Sequence, residues 1–169
     1  AAEALNPMLA TSAPLFISDD YDMYDMVSLL RQCSIIVSSR YHALVCSMPG
    51  SVPSIGITMD ERIRNLMLDR GHPELALEVD DIHLDTHLLE ALTTLHANPT
   101  PVITQIEDCV VRNLVTMGEM GIEFVELIKA QHPTFPFRTE LGRDGDPWAH
   151  LPPISPELQQ LIHRVRSTA

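Results

Sequence analysis

Short apolar runs alternate along the chain with segments whose apolar residues recur at helical spacing, the pattern of strands threaded between helices. Leu15-Phe16-Ile17 is an apolar run that stops at Ser18-Asp19-Asp20, and Tyr21 to Gln32 then carries apolar residues at Met23, Met26, Val27, Leu29 and Leu30. This reads as strand, cap and helix, with Asp19 or Asp20 as the capping residue. Cys33 to Val37 predicts a second, buried strand. Arg40 to Met48 predicts a second helix, and Val52 to Ile57 a third strand entered through Pro49-Gly50 and Pro53. The following helix, Glu61 to Asp69 with Asp60 as its N-cap, ends at Gly71 with Pro73 beyond it. Leu75 to Val79 reads as one more short strand, and His83 to His96 and Val102 to Ala130 as helices around a Pro99-Thr100-Pro101 break.

Strands alternating with helices in this way imply an α/β fold, a Rossmann-like three-layer arrangement with a parallel sheet covered on both faces. That domain is expected over residues 1–132. Residues 133–169 change character: six prolines fall between Pro133 and Pro156, together with the turn cluster Gly142-Arg143-Asp144-Gly145-Asp146, before a short helix from Pro156 to Arg166. Such a tail is expected to pack across a surface, since it lacks the apolar content of a second core.

Charge narrows the range of partners. The formal net charge of −12 opposes binding to nucleic acid or to an anionic membrane, so a basic site in this chain has to be local. At 45% hydrophobic residues the 169-residue chain is globular, and no apolar run approaches the length of a membrane span. Ala1 to Ala10 lacks the basic start and apolar core of a signal peptide, which predicts a cytoplasmic protein. The first residue is not Met, and a piece of a longer protein is one expectation from that. Cys33, Cys46 and Cys109 are odd in number without C-x-x-C spacing, as expected of reduced thiols.

The most informative stretch is Ile35-Ile36-Val37-Ser38-Ser39-Arg40-Tyr41-His42-Ala43-Leu44-Val45, a buried strand that runs through two hydroxyl residues into a helix. A helix start offers unpaired N–H groups and the positive end of the helix dipole to an anion. Arg40 adds a cationic fork and His42 a group that exchanges protons near neutral pH. In a parallel sheet the carboxyl ends of the strands share one rim, so Ser38 to His42, Thr58-Met59-Asp60 and Ser18-Asp19-Asp20 are expected to line one crevice. Arg62 and Arg64, in the first turn of the next helix, oppose its dipole, and a nearby anion would account for them. Structural readings stand beside these. Arg40 pairs with Asp19 or Asp60, and Arg62 and Arg64 form a solvated face. His83 and His87 are spaced for a metal but lack the glutamate of the zinc-protease pattern, so no metal is expected there. Met23 with Met26, and Met117 with Met120, are expected to fill the core. The phosphate-binding and nucleophile-elbow glycine motifs are missing from the sequence.

Four pieces carry a family resemblance over Phe16 to Leu95: Met26-x-x-Leu29-Leu30, Ser39-Arg40-Tyr41-His42-Ala43-Leu44, Val52-Pro53-Ser54-Ile55-Gly56-Ile57, and Asp60-x-Arg62-Ile63-x-Asn65-Leu66-Met67. In these the chain resembles the polysaccharide pyruvyl transferases. The resemblance implies the C-terminal lobe of a two-lobed GT-B-type fold, with an N-terminal lobe not included in this sequence. It implies transfer of a pyruvyl group from phosphoenolpyruvate to two hydroxyls of a sugar or glycan acceptor, giving a ketal on a cell-surface polysaccharide, with no separate cofactor. It implies Arg40 and His42 on phosphoenolpyruvate, with Tyr41 contributing through its backbone; the chemistry of ketal formation makes Arg40 and His42 the expected catalytic pair, and the rim adds Ser38, Ser39, Asp60 and Arg62 to Arg40, Tyr41 and His42 as the expected substrate-binding set. Two other readings remain. One is a lobe of a sugar-nucleotide-dependent GT-B glycosyltransferase or epimerase, although Ser38 to His42 holds neither the Gly-rich turn nor the Glu common there. The other is a non-catalytic binding domain that uses the acidic surface and the proline-rich tail.

Overall fold

The computed structural model describes residues 4, 6–17, 19–136 and 146–168; Ser18 and residues 142–145 of the turn cluster lie outside them. Among the described residues three strands form one parallel sheet in the spatial order β1 (Ile36–Ser38), β2 (Ser54–Thr58), β3 (Ala76–Glu78). The register pairs Ile36 with Ser54 and Ser38 with Gly56 on one side of β2, and Gly56 with Ala76 and Thr58 with Glu78 on the other. Among the described residues the strands are accompanied by the α-helices α1 (Met23–Leu30), α2 (Tyr41–Ser47), α3 (Glu61–Asp69), α4 (Leu84–Ala97), α5 (Thr100–Gln131) and α6 (Pro156–Thr168).

The central strand explains the layering. Side chains alternate between the two faces of a strand, so Gly56 points one way and its neighbours Ile55 and Ile57 the other. A Cβ at Gly56 would lie 2.3 Å from Ile63 Cγ2 and 3.3 Å from Leu44 Cδ1, which places α2 and α3 hard against that face. Leu77, level with Ile57, faces the opposite side, where α4 brings Ala91 and Leu95. Helices thus cover both faces, and a Rossmann-like α/β arrangement results. Leu44, Ile55, Met67, Leu95 and Ile106 are buried at its centre, and Leu161 and Ile162 of α6 join the same core.

One expected strand does not form. Leu15-Phe16-Ile17 has no strand pairing and is exposed, and Phe16 instead meets the ring of Tyr21 at 5.7 Å. Among the described residues β1 is therefore an edge strand, and its Val37 is 40% exposed. The cap of α1 is also different from the expected Asp19 or Asp20. Asp22 accepts the backbone N–H groups of Tyr24 at 2.8 Å and Asp25 at 2.9 Å, and the Asp25 carboxylate accepts the Asp22 N–H in return.

Three of the four methionines expected in the core are exposed, Met23 to 70%, Met117 to 46% and Met120 to 64%, while Met26 is half-buried. Helical spacing marks a face of a helix without saying what covers it. α5 is 32 residues long and outruns the sheet layers. Its first half buries Val102, Ile106, Cys109, Val110 and Val111. Beyond that, the turn Pro147–His150 lies across it so closely that a Cβ at Gly118 would stand 2.2 Å from the Pro147 carbonyl oxygen. No described helix is long and apolar enough to cross a membrane.

Arg70, just past the end of α3, is buried to 1% exposure at the amino end of β2. Its Nη1 donates to Ser54 Oγ at 2.8 Å, while Nε and Nη2 have no partner among the described residues. Burial pushes its pKa down to about 10, which still leaves the group charged at neutral pH.

Candidate functional site

The two strand-to-helix turns on the carboxyl rim are built alike. β1 ends at Ser38, whose Oγ accepts the Arg40 backbone N–H at 2.9 Å and whose O–H points to the Arg40 carbonyl at 3.5 Å. β2 ends at Thr58, whose hydroxyl donates to the Asp60 carbonyl and whose Oγ1 accepts the Asp60 N–H at 3.2 Å. In both turns the hydroxyl on the last strand residue braces the residue two places on, and that residue opens the next helix. Ser38 is thus engaged with the backbone, while Ser39 is exposed beside it.

The two helix starts then diverge in charge. Asp60 caps α3 through the Arg62 N–H at 2.9 Å, and its carboxylate also receives Arg62 Nη2 at 2.6 Å and Nε at 3.1 Å. These hydrogen bonds hold the Asp60 carboxyl below the usual carboxylate range and raise the pKa of Arg62. Arg64 reaches Glu78, the last residue of β3, at 2.6 Å and is raised likewise. Both arginines at the start of α3 are therefore matched by carboxylates, which offsets their opposition to the helix dipole.

Arg40 has no such match. It occupies the N-cap of α2 without a side-chain cap bond, and among the described residues no carboxylate pairs with it. Its expected partners do not meet it: Asp60 is taken by Arg62, and the strand that was to bring Asp19 and Asp20 to the rim is absent. His42, exposed in the first turn of α2, meets the Tyr41 ring edge-on at 5.6 Å. The Arg62 guanidinium lies 6.0 Å from the centre of that Tyr41 ring. Tyr41 thereby links the two turns, joining His42 to the Asp60–Arg62 pair.

Glu78 belongs to this rim and was not anticipated, although a strand ending near Val79 and aligned with β2 carries the signal. Away from the rim, His87 Nδ1 lies 2.6 Å from Asp81 Oδ2, and the His83 and His87 rings stand 6.2 Å apart. Among the described residues no group of three or more potential ligands is placed to hold a metal. Cys109 is buried, its Sγ donates to Asp69 Oδ2 at 3.2 Å, and burial pushes the thiol up to about 11. It is therefore protonated at neutral pH and a poor nucleophile.

The described structure is a Rossmann-like α/β arrangement on a parallel sheet, and its rim carries an arginine that no carboxylate pairs with among the described residues and an exposed histidine at a helix start. The model of the polysaccharide pyruvyl transferase family matches residues 14–61 of the chain, a stretch that contains β1, α2 and β2 and stops at the first residue of α3. Both braced turns fall within the match, as does the Arg40-Tyr41-His42 element, and the family resemblance stands on this stretch. The family name implies a transferase with a sugar or glycan acceptor. No solved structure matches the chain.

Proposed function

We propose that the chain is the donor-binding lobe of a cytoplasmic polysaccharide pyruvyl transferase of GT-B-type architecture, and that Arg40 and His42 receive phosphoenolpyruvate. The observation that supports this reading is Arg40 itself, a rim arginine left without a carboxylate among the described residues in a chain of net charge −12, beside neighbours that are each neutralised. Phosphoenolpyruvate carries a phosphate and a carboxylate, and either suits a guanidinium fork next to the free N–H groups of a helix start.

The chemistry assigns the remaining roles. Forming the ketal requires a proton on the methylene carbon, attack of a sugar hydroxyl on the adjacent carbon, departure of phosphate and attack by a second hydroxyl. His42 supplies the proton and accepts one from an attacking hydroxyl. Arg40 stabilises the charge that gathers on the leaving phosphate. Ser38 holds Arg40 in place through its backbone, and Asp60 with Arg62 fixes the far side of Tyr41. The acceptor approaches from a second lobe across the rim.

Calorimetric titration of the chain with phosphoenolpyruvate tests the reading. Saturable binding that Arg40→Ala abolishes supports it; binding unchanged by Arg40→Ala, or saturable binding of a uridine diphosphate sugar in its place, rejects it.

A further inference from the structure

The second half of α5 leaves an apolar row open to solvent. Ile106 and Val110 are buried in the core, and the same alternation of three- and four-residue steps runs on through Asn113 to Met117, Met120, Phe124 and Leu127, which are exposed. Such a seven-residue repeat marks a helix that packs along another helix, because a spacing of 3.5 residues keeps one line of side chains against a partner, whereas an isolated helix turns every 3.6. In α5 this seam continues past the core that buries its first part.

The row has two different borders. On one side Gly118 and Gly121 lie under the turn Pro147–His150, and a Cβ at Gly121 would stand 2.9 Å from His150 Cβ. On the other side Glu119, Glu123 and Glu126 follow the row at the same four- and three-residue steps. All three are exposed, and none joins an ion pair among the described residues. Lys129 stands five positions on from Phe124 and therefore on nearly the opposite side of the helix. An incoming helix meets an apolar seam beside uncompensated carboxylates, which favours lysine or arginine along its matching flank. A second copy of the chain would bring an identical glutamate row and its own net charge of −12, and an anionic bilayer is repelled by the same glutamates.

We propose that the second half of α5 docks a basic amphipathic helix of another protein, with Met117, Met120, Phe124 and Leu127 forming the seam and Glu119, Glu123 and Glu126 pairing with the partner's cations. This surface is independent of the pyruvyl-transfer reading. The test is NMR titration of the full chain, labelled at its methionine methyls, with a synthetic heptad-repeat helix that carries leucine along its seam and lysine on both flanks, and with the same peptide carrying glutamate in place of lysine. The expected result is saturable shifts at Met117 and Met120 with the lysine peptide, binding weakened about tenfold in Phe124→Ala, and a reversed preference, for the glutamate peptide, in the double variant Glu119→Lys with Glu123→Lys. Absence of shifts at these methionines with the lysine peptide overturns the proposal. So does equal weakening by Asp80→Lys with Glu90→Lys, which alters the net charge by the same amount outside α5 and would reduce the binding to a general attraction. Shifts of the same methyls with protein concentration alone would assign the row to a second copy and overturn it as well.

Discussion

Arg70 Nη1 donates to Ser54 Oγ at 2.8 Å, and this is the hydrogen bond that anchors a buried guanidinium beneath the central strand. Taking a cation out of water with two of its nitrogens unpaired among the described residues is unfavourable, and the fall of its pKa from 12.5 to about 10 corresponds to roughly 3 kcal/mol. Replacing the pair together, Arg70→Met with Ser54→Ala, leaves apolar groups of similar volume. The double variant is expected to match the parent or exceed it in stability by up to about 3 kcal/mol in denaturant unfolding. A loss of stability of that size would show that the charge has a partner it cannot spare. The same shift fixes the sign at high pH. A cation with a depressed folded pKa disfavours folding wherever it is charged, so its penalty is relieved as pH rises through about 10.

Gly56 is where helix and sheet come closest. Gly56→Ala drives a methyl group to 2.3 Å from Ile63 Cγ2, and Ile63 is itself buried. The expected loss is about 1–3 kcal/mol, with a lower midpoint and an unchanged denaturant slope. A double-mutant cycle with Ile63→Ala is expected to show coupling between the two sites, whereas additive losses would mean that α3 has shifted as a body.

Asp60 acts both as a cap and as an ion, and two variants separate the roles. Its folded pKa lies below the unfolded value, because Arg62 bonds to the carboxylate. The resulting stability is present above the unfolded carboxylate pKa and is lost as pH falls through the folded one. Asp60→Asn keeps a capping oxygen, so its stability should approach that of the parent at acid pH and fall below it at neutral pH. Asp60→Ala removes the cap as well and should lower Tm at both, by about 3 °C at neutral pH. Thermal melts across the pH range read this directly.

His42→Ala, in an enzyme that carries both lobes, is expected to lower kcat about a hundredfold or more, with little effect on phosphoenolpyruvate affinity. Arg40→Ala is expected to lower affinity and kcat together, and Arg40→Lys to restore only part of each, since an ammonium lacks the planar fork. Near-normal turnover by His42→Ala would remove that residue from the mechanism.

Much of the local structure was legible in the sequence, the cap of α1 excepted, where Asp22 stands in place of the expected Asp19 or Asp20. The three strands that form and the helices between them follow from apolar runs bounded by Pro and Gly, and Asp60 caps α3 as its position implies. Leu15-Phe16-Ile17 misled because three apolar residues do not distinguish a strand from an exposed aromatic contact, here with Tyr21. Met117 and Met120 misled because periodicity is blind to how far a helix extends past its core. At the candidate site, the sequence supplied Arg40 and His42 but not the pairings around them. Arg62 turns to Asp60 two residues away, one of several local choices open to that carboxylate, whereas Arg64 reaching Glu78 depends on where β3 lies relative to α3, a long-range matter of register.

The length of α5 has a further consequence. At 32 residues it spans about 48 Å, far more than its buried first half requires. Opening a helix locally exposes whatever that part of it buries, so its two halves belong to different stability regimes. Amides near Ile106 and Val110 should exchange with solvent deuterium only through global unfolding. Those beyond Gly118, where Met120, Phe124 and Leu127 face water, should exchange through local fraying and at rates insensitive to Gly56→Ala. One continuous helix would then act as a rigid beam at its start and as a yielding arm at its end.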